Sequence, residues 1–253
     1  MSETDGDSTN ATVGVRSSRT FPPQSSAVRA ARAFAADCPA ATDVDLEALT
    51  LGVSELATNA VLHAATAFVV TLERLPDGVR VSVTDGDPSV PRTGNVDPTA
   101  TTGRGLAIVR ALSRRMQIDP SDPGKTIWFE LGAGEPAGPA PTVVQAGSNT
   151  VSPSSSWTVE RTEQEVVLLF SGPVDLVSAP ALGDALSSLI NEERRIVVDL
   201  GGCDFLDSLG VSVLVAAVLR AQAAEVSLAM RLSEAARRVI WLSGLSDRME
   251  VEP

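Results

Sequence analysis

Between Gly132 and Ser156 the chain reads GAGEPAGPAPTVVQAGSNTVSPSSS. Pro, Gly, Ala and Ser dominate this stretch, and such a composition favours an extended linker over a packed core. The chain must therefore fold as two units on either side of it. Residues Met1 to about Arg19 are similarly poor in apolar anchors and read as a disordered tail. The expected boundaries are a tail over 1–19, a first domain over 20–132, a linker over 133–156 and a second domain over 157–253. No internal repeat relates the two halves, so they are unlike domains and not a duplication.

Hydrophobic periodicity fills in both units. In the first, Ser25 and Ser26 cap a helix over Ala27–Ala36. A second helix is expected from Asp43 to Ala64, with the apolar stripe Leu46, Leu49, Val53, Leu56 and Ala60. Strands at Ala67–Leu75 and Val79–Thr84 flank the turn Pro76-Asp77-Gly78, which predicts a hairpin. A loop rich in Pro, Gly and Thr follows, and Asp87–Thr102 is expected to be a mobile lid. A helix over Leu106–Arg114 and strands near Met116–Ile118 and Thr126–Leu131 complete the unit. The second unit predicts strands at Trp157–Arg161, Val166–Ser171, Ile196–Leu200 and Val226–Leu232, with helices at Ala179–Asn191, Leu209–Ala223 and Glu234–Leu242. Alternating strands and helices make both units α/β layers.

Composition removes several classes of function. A net charge of −12 is opposite to what a nucleic-acid surface needs, so direct nucleic-acid binding is not expected. The two cysteines, Cys38 and Cys203, are far apart and have no nearby metal ligands, which fits a reducing compartment. His63 is the one histidine, which leaves no material for a His-based zinc site or a Ser-His-Asp triad. No apolar run approaches the ~18–20 residues needed to span a bilayer. A soluble, cytoplasmic protein without a membrane partner is expected.

Three local patterns in the first unit carry chemistry when taken together. Glu55 and Asn59 lie four residues apart, about 40° apart around one helix, at the edge of its apolar stripe. Asp85 ends the alternating strand Val81–Thr84. Gly103-Arg104-Gly105 precedes a helix whose first N–H groups are free to meet an anion. Each alone is common and carries little weight.

Their order and spacing resemble the GHKL ATPase superfamily, and within it the anti-sigma-factor serine kinases. The resemblance spans Phe21–Leu131, through SELATNAVLHA at 54–64, VTDG at 83–86, GRGLAIV at 103–109 and GKTIWFEL at 124–131. It implies a Bergerat α/β sandwich that binds ATP and Mg²⁺. Asn59 would hold Mg²⁺ through its carboxamide oxygen, and Glu55 would act as general base toward a serine hydroxyl. Asp85 would accept from the adenine amino group. Gly103 and Gly105 would cradle phosphates, with Arg104 near them and Thr126 near the adenine edge. The sequence departs from the usual D-x-G-x-G by placing Asp87 at the first glycine position after Gly86, which bears on affinity and not on fold. His63, inside the nucleotide-site helix, is expected to be packed or capping and not a phosphoacceptor.

The second unit resembles STAS domains, which include anti-sigma-factor antagonists, through Val166–Asp175, IVVDL at 196–200 and CDFLDSLG at 203–210. The resemblance implies a mixed sheet flanked by helices. The usual phosphoacceptor position, directly before the helix-start glycine, is Leu209 here. Ser208 stands one residue earlier, either as an acceptor or as a helix N-cap worth about 1 kcal/mol. Its side chain is expected to leave the helix start in another direction. The STAS domain is accordingly expected to dock on the kinase domain without being an efficient substrate.

These resemblances imply regulation of a sigma factor by partner switching. The first domain would be an ATP-dependent serine kinase and anti-sigma factor, acting on a STAS antagonist in cis or in trans. Tethering raises the local concentration to roughly the mM range. The alternative is an anti-sigma/STAS interaction module that binds nucleotide without catalysis. Homodimerisation is left open.

Overall fold

The computed structural model describes residues 15–90, 104–121, 123–132, 155–162, 165–193, 195–246 and 249–252. In the first domain, β1 (Arg16–Phe21) precedes α1 (Ser25–Ala36), a 3₁₀ turn (Pro39–Ala41) and α2 (Leu46–Asn59). A π-helical turn (Ala60–Ala64), β2 (Phe68–Leu75), β3 (Gly78–Asp85), α3 (Gly105–Leu112), β4 (Arg115–Pro120) and β5 (Lys125–Gly132) follow. The strands form a five-stranded sheet in the order β1-β2-β3-β5-β4, with every neighbouring pair antiparallel.

Period-two patterning sets the two faces of this sheet. Val79, Val81, Val83, Ile127, Phe129 and Leu131 are buried beneath the helices. Between them, Arg80, Thr84, Thr126, Trp128 and Glu130 are half-buried on the other face. There Arg80 meets Glu130 at 2.6 Å and lies 4.6 Å from the Trp128 ring centroid. Strand β1 recruits residues 16–19, which composition assigned to the tail, because its backbone pairs with β2 from Arg16↔Glu73 to Phe21↔Phe68.

The expected helix from Asp43 to Ala64 is shorter and interrupted. Asp45 caps α2 by accepting from the Ala48 N–H at 3.1 Å. At the far end the helix widens into the π-turn and stops at Ala65, whose φ is 51°. Every residue of α2 from Ala48 to Thr58 is buried, including Ser54, Glu55 and Thr58. An amphipathic helix at the surface would leave those polar residues to water, so a second body must cover them.

That body is the second domain. It comprises β6 (Ser156–Arg161), β7 (Val166–Ser171), α4 (Ala179–Glu192), β8 (Arg195–Gly202), α5 (Ser208–Ala223), β9 (Ser227–Leu232) and α6 (Glu234–Leu242). The sheet runs β6-β7-β8-β9, with β6 antiparallel to β7 and the other pairs parallel. Residues Val166–Phe170 of β7 and Ile196–Val198 of β8 are continuous apolar runs, as expected of parallel strands covered on both faces. Both domains thus have the α/β architecture read from the sequence. Among the described residues no helix is long and apolar enough to cross a membrane.

Candidate functional site

The start of α5 is seated on α1 and α2. Asp207 caps α5, its Oδ1 accepting from the N–H groups of Leu209 at 3.0 Å and Gly210 at 3.1 Å. The Ser208 N–H is left over and donates to Glu55 Oε1 at 2.7 Å. The Ser208 hydroxyl donates to Glu55 Oε2 at 2.5 Å. This corrects the expectation that Ser208 would point elsewhere: the cap geometry turns both of its donors onto the Glu55 carboxylate. Gly105 closes the other side. A Cβ at that position would stand 2.4 Å from Glu55 Oε2, so a larger residue would push the carboxylate off this position.

Around this contact lies a network of charges. Asp175, 1% exposed, accepts from Arg29 Nε at 2.8 Å and Nη2 at 2.9 Å, and from Arg32 Nη2 at 2.7 Å. Arg32 also donates to Ser54 Oγ at 3.1 Å and stacks 4.0 Å from the Phe205 ring centroid. Ser54 Oγ reaches Asp207 Oδ2 at 3.4 Å. On the flank, Arg238 of α6 binds Glu47 Oε2 at 2.7 Å and the Asp45 carboxylate. Neither Arg29 nor Arg32 was singled out from the sequence. The available signal was a buried-face arginine, since Arg32 lies among Val28, Ala31 and Ala35 on α1.

Glu55, Thr58, Asn59, Gly105, Lys125, Ser208 and Leu209 line one cleft of about 430 Å³. The amide nitrogen of Asn59 is buried and, among the described residues, has no hydrogen-bond partner; the same holds for the Thr58 hydroxyl. An acceptor such as a phosphate oxygen, and not a cation, would meet the unsatisfied donor half of this carboxamide. Its oxygen is a hard ligand of the kind Mg²⁺ accepts, with phosphates and waters completing the shell. Among the described residues no cluster of His, Cys, Asp and Glu stands ready to hold a metal unaided. The residues present therefore fit a magnesium nucleotide better than an isolated ion.

Other expected site residues are placed differently. Gly103 and most of the expected lid, residues 91–103, lie outside the described residues. Arg104 is buried at the start of α3 and does not line the cleft. Thr126 faces away from it: its hydroxyl pairs with that of Thr84 at 2.8 Å on the opposite side of the sheet. Lys125 takes the cleft face instead, with its ammonium 2.9 Å from Asp85 Oδ1. His63 is exposed at the cleft rim and not packed.

Burial, reinforced by the nearby Asp207 carboxylate, raises the pKa of Glu55 above the ordinary carboxylate range against the hydrogen bonds from Ser208. Burial likewise raises that of Asp207. Burial also acts to raise that of Asp175, but the hydrogen bonds from Arg29 and Arg32 outweigh it and the net shift is downward. The signs give opposite pH dependences. The docked state holds protons on Glu55 and Asp207 that the open state releases, so docking weakens as pH rises from the ordinary carboxylate range through neutrality. The Asp175 contribution is present above the ordinary aspartate range and is lost as pH falls below it. Docking should therefore be tightest in mild acid. Hydrogen exchange at the Ser208 amide, corrected for intrinsic rates, should show protection falling as pH rises from about 6 to about 8, where Asp207 and then Glu55 lose their protons.

Comparison with known proteins agrees with this two-part architecture. Residues 21–131 match the histidine kinase-like ATPase domain family, and residues 157–251 match the family described as Mlab, STAS domain. The chain thus carries an N-terminal histidine kinase-like ATPase domain and a C-terminal STAS domain. Among solved structures, an anti-sigma factor antagonist from Mycobacterium paratuberculosis is 30% identical, over 40% of this chain and 86% of its own, with a TM-score of 0.37. The Bacillus cell fate determinant SpoIIAA in its phosphorylated form is 22% identical, over 39% of this chain and 92% of its own, with a TM-score of 0.33. No curated protein matches the chain.

Proposed function

We propose that this protein is a partner-switching regulator of a sigma factor, in which an ATP-binding serine kinase domain holds its own STAS domain as substrate and antagonist. The observation that carries this reading is the Ser208 hydroxyl resting 2.5 Å from Glu55 Oε2, inside the cleft that also presents Asn59. A general base must stand within hydrogen-bond reach of the proton it removes, and Glu55 does so. Glu55 acts as a base only in its deprotonated form, whose share burial reduces at neutral pH and which grows as pH rises.

Asn59 would hold Mg²⁺ and Gly105 would line the nucleotide's seat, with Asp85 behind Lys125. When bound, Mg-ATP supplies a transferable phosphoryl group. Ser208 presents the acceptor oxygen, Glu55 takes its proton at Oε2, and the seated α5 excludes water from the contact. A phosphate on Ser208 would stand beside Glu55 and Asp207, both acids. Like-charge repulsion would then expel the STAS domain and free the surface of α1 and α2 for a sigma factor or another antagonist.

A second reading, a non-catalytic module in which Ser208 and Glu55 act as a lock, is favoured by the Lys125–Asp85 pair. Mass spectrometry of the full chain incubated with Mg-ATP separates the two. The kinase reading expects one phosphate on Ser208, and none on the Ser208→Ala chain. Intact unmodified protein after prolonged incubation would leave only the lock.

A further inference from the structure

The register of β3 and β5 places Asp85 directly opposite Lys125, both on the helix-covered face. Gly124 permits this. Its φ is +105°, and a Cβ there would lie 2.0 Å from the Asp85 carbonyl oxygen, so no other residue lets β5 start so close to the end of β3. Lys125 Nζ donates to Asp85 Oδ1 at 2.9 Å and to the Asp87 carbonyl oxygen at 2.9 Å, and lies 3.7 Å from Asp87 Oδ2. An ammonium has three donors and no acceptor; two of them are used by these hydrogen bonds, and the nearby Asp87 carboxylate adds an ion-pair attraction. The Lys125 and Asp85 side chains are each 4% exposed.

The consequence lies in what the cleft presents. Lys125 and Asp87 line it, whereas Asp85 does not. The carboxylate that would accept an adenine amino group is screened by a donor of the same chain. Asp87 holds the screen in place, since its Oδ1 accepts from the Ser89 N–H at 3.0 Å while its own N–H donates to Asp85 at 2.9 Å.

We propose that Lys125 is an internal competitor for the base-recognition carboxylate, so that an adenine nucleotide enters this cleft only by displacing the Lys125 ammonium from Asp85. The proposal rests on the nucleotide-binding reading above. It makes nucleotide occupancy conditional, because the resting cleft already satisfies the group that the base would use. Desolvated pairs of this kind hold strongly when one partner is challenged.

The sign of the effect makes it testable. A lysine that merely adds positive potential attracts ATP, and neutralising it weakens binding. A competitor gives the reverse. Calorimetry on the full chain with Mg-ATP should show Lys125→Met binding about tenfold tighter or more than wild type. Inorganic tripolyphosphate, which has no base, should gain nothing from the substitution. Lys125→Thr serves as the second variant if thermal melting shows that the methionine chain is unfolded. Equal or weaker ATP binding in a folded variant overturns the proposal, as does an equal gain for tripolyphosphate. Asn59→Ala separates the two levels of the argument. If wild type and Lys125→Met bind ATP equally and Asn59→Ala abolishes both, the nucleotide reading stands and the Lys125 proposal alone fails. If neither binds, both fail.

Discussion

Replacing Glu55 by Gln is expected to lower phosphate incorporation at Ser208 by roughly 10²–10⁴-fold while the two domains remain docked. Glutamine keeps the shape of the side chain and a carbonyl oxygen for the Ser208 N–H, which lies 2.7 Å from Glu55 Oε1. It removes the group that accepts the serine proton. It also removes a buried carboxylate whose charge is disfavoured by burial and by Asp207. Docking should therefore be preserved or tightened, and much of its loss toward neutral pH should vanish. The pair of readouts is the test: time-resolved mass spectrometry for the phosphate, and hydrogen exchange at the start of α5 for docking. Unchanged phosphorylation would remove Glu55 from catalysis. A loss of both signals would make it an interface residue only.

Asp175→Asn should open the molecule. The carboxylate is buried and receives three guanidinium N–H groups, from Arg29 and Arg32. Breaking a buried pair by removing one partner costs about 3–5 kcal/mol, because the remaining charge keeps its desolvation penalty. Arg32, with its side chain 3% exposed, bears most of that penalty; Arg29, at 23%, is partly hydrated and bears less. Asparagine is preferred to alanine because Asp175 Oδ1 also accepts from the Val177 N–H at 3.1 Å, and an amide oxygen keeps that turn. The docked population should fall by roughly 10²-fold or more. Small-angle scattering should show an expanded chain, and amides at the start of α5 should exchange faster. Protection within β7 and β8 should be unchanged. A compact chain with unaltered exchange would mean that the Arg29–Arg32–Asp175 network does not hold the domains together.

Once the domains separate, the surface they bury becomes available as one continuous area on α1 and α2. That surface carries Arg29, Arg32, Asp45 and Glu47, each of which meets a residue of the second domain. Under the partner-switching reading, an external antagonist with the same pattern of Asp and Arg would compete for it. The tethered domain has the advantage of concentration, so a competitor must bind more tightly or arrive after Ser208 has been modified.

The sequence by itself determined the division into two α/β units, the hairpin of β2 and β3, and the placing of Glu55 and Asn59 on one helix. These features depend on contiguous residues, whose periodicity and turn chemistry are readable without a partner. It also located Asp85 at a strand end and the STAS motif at a helix start. It misplaced residues 16–19, whose polar composition hid a strand that forms only by pairing with β2.

Tertiary structure decided the rest. Glu55 and Ser208 are 153 residues apart in the chain, and no local pattern encodes their contact. The burial of Ser54, Glu55 and Thr58 follows from a covering domain and not from their helix. The choice between Lys125 and Thr126 turned on strand parity: successive residues of β5 face opposite sides, so an offset of one exchanges a cleft residue for an outer one. Parity is fixed by the register of β5 against β3, with Asp85 opposite Lys125. That pairing is a long-range property, set where apolar side chains of distant strands must share one core.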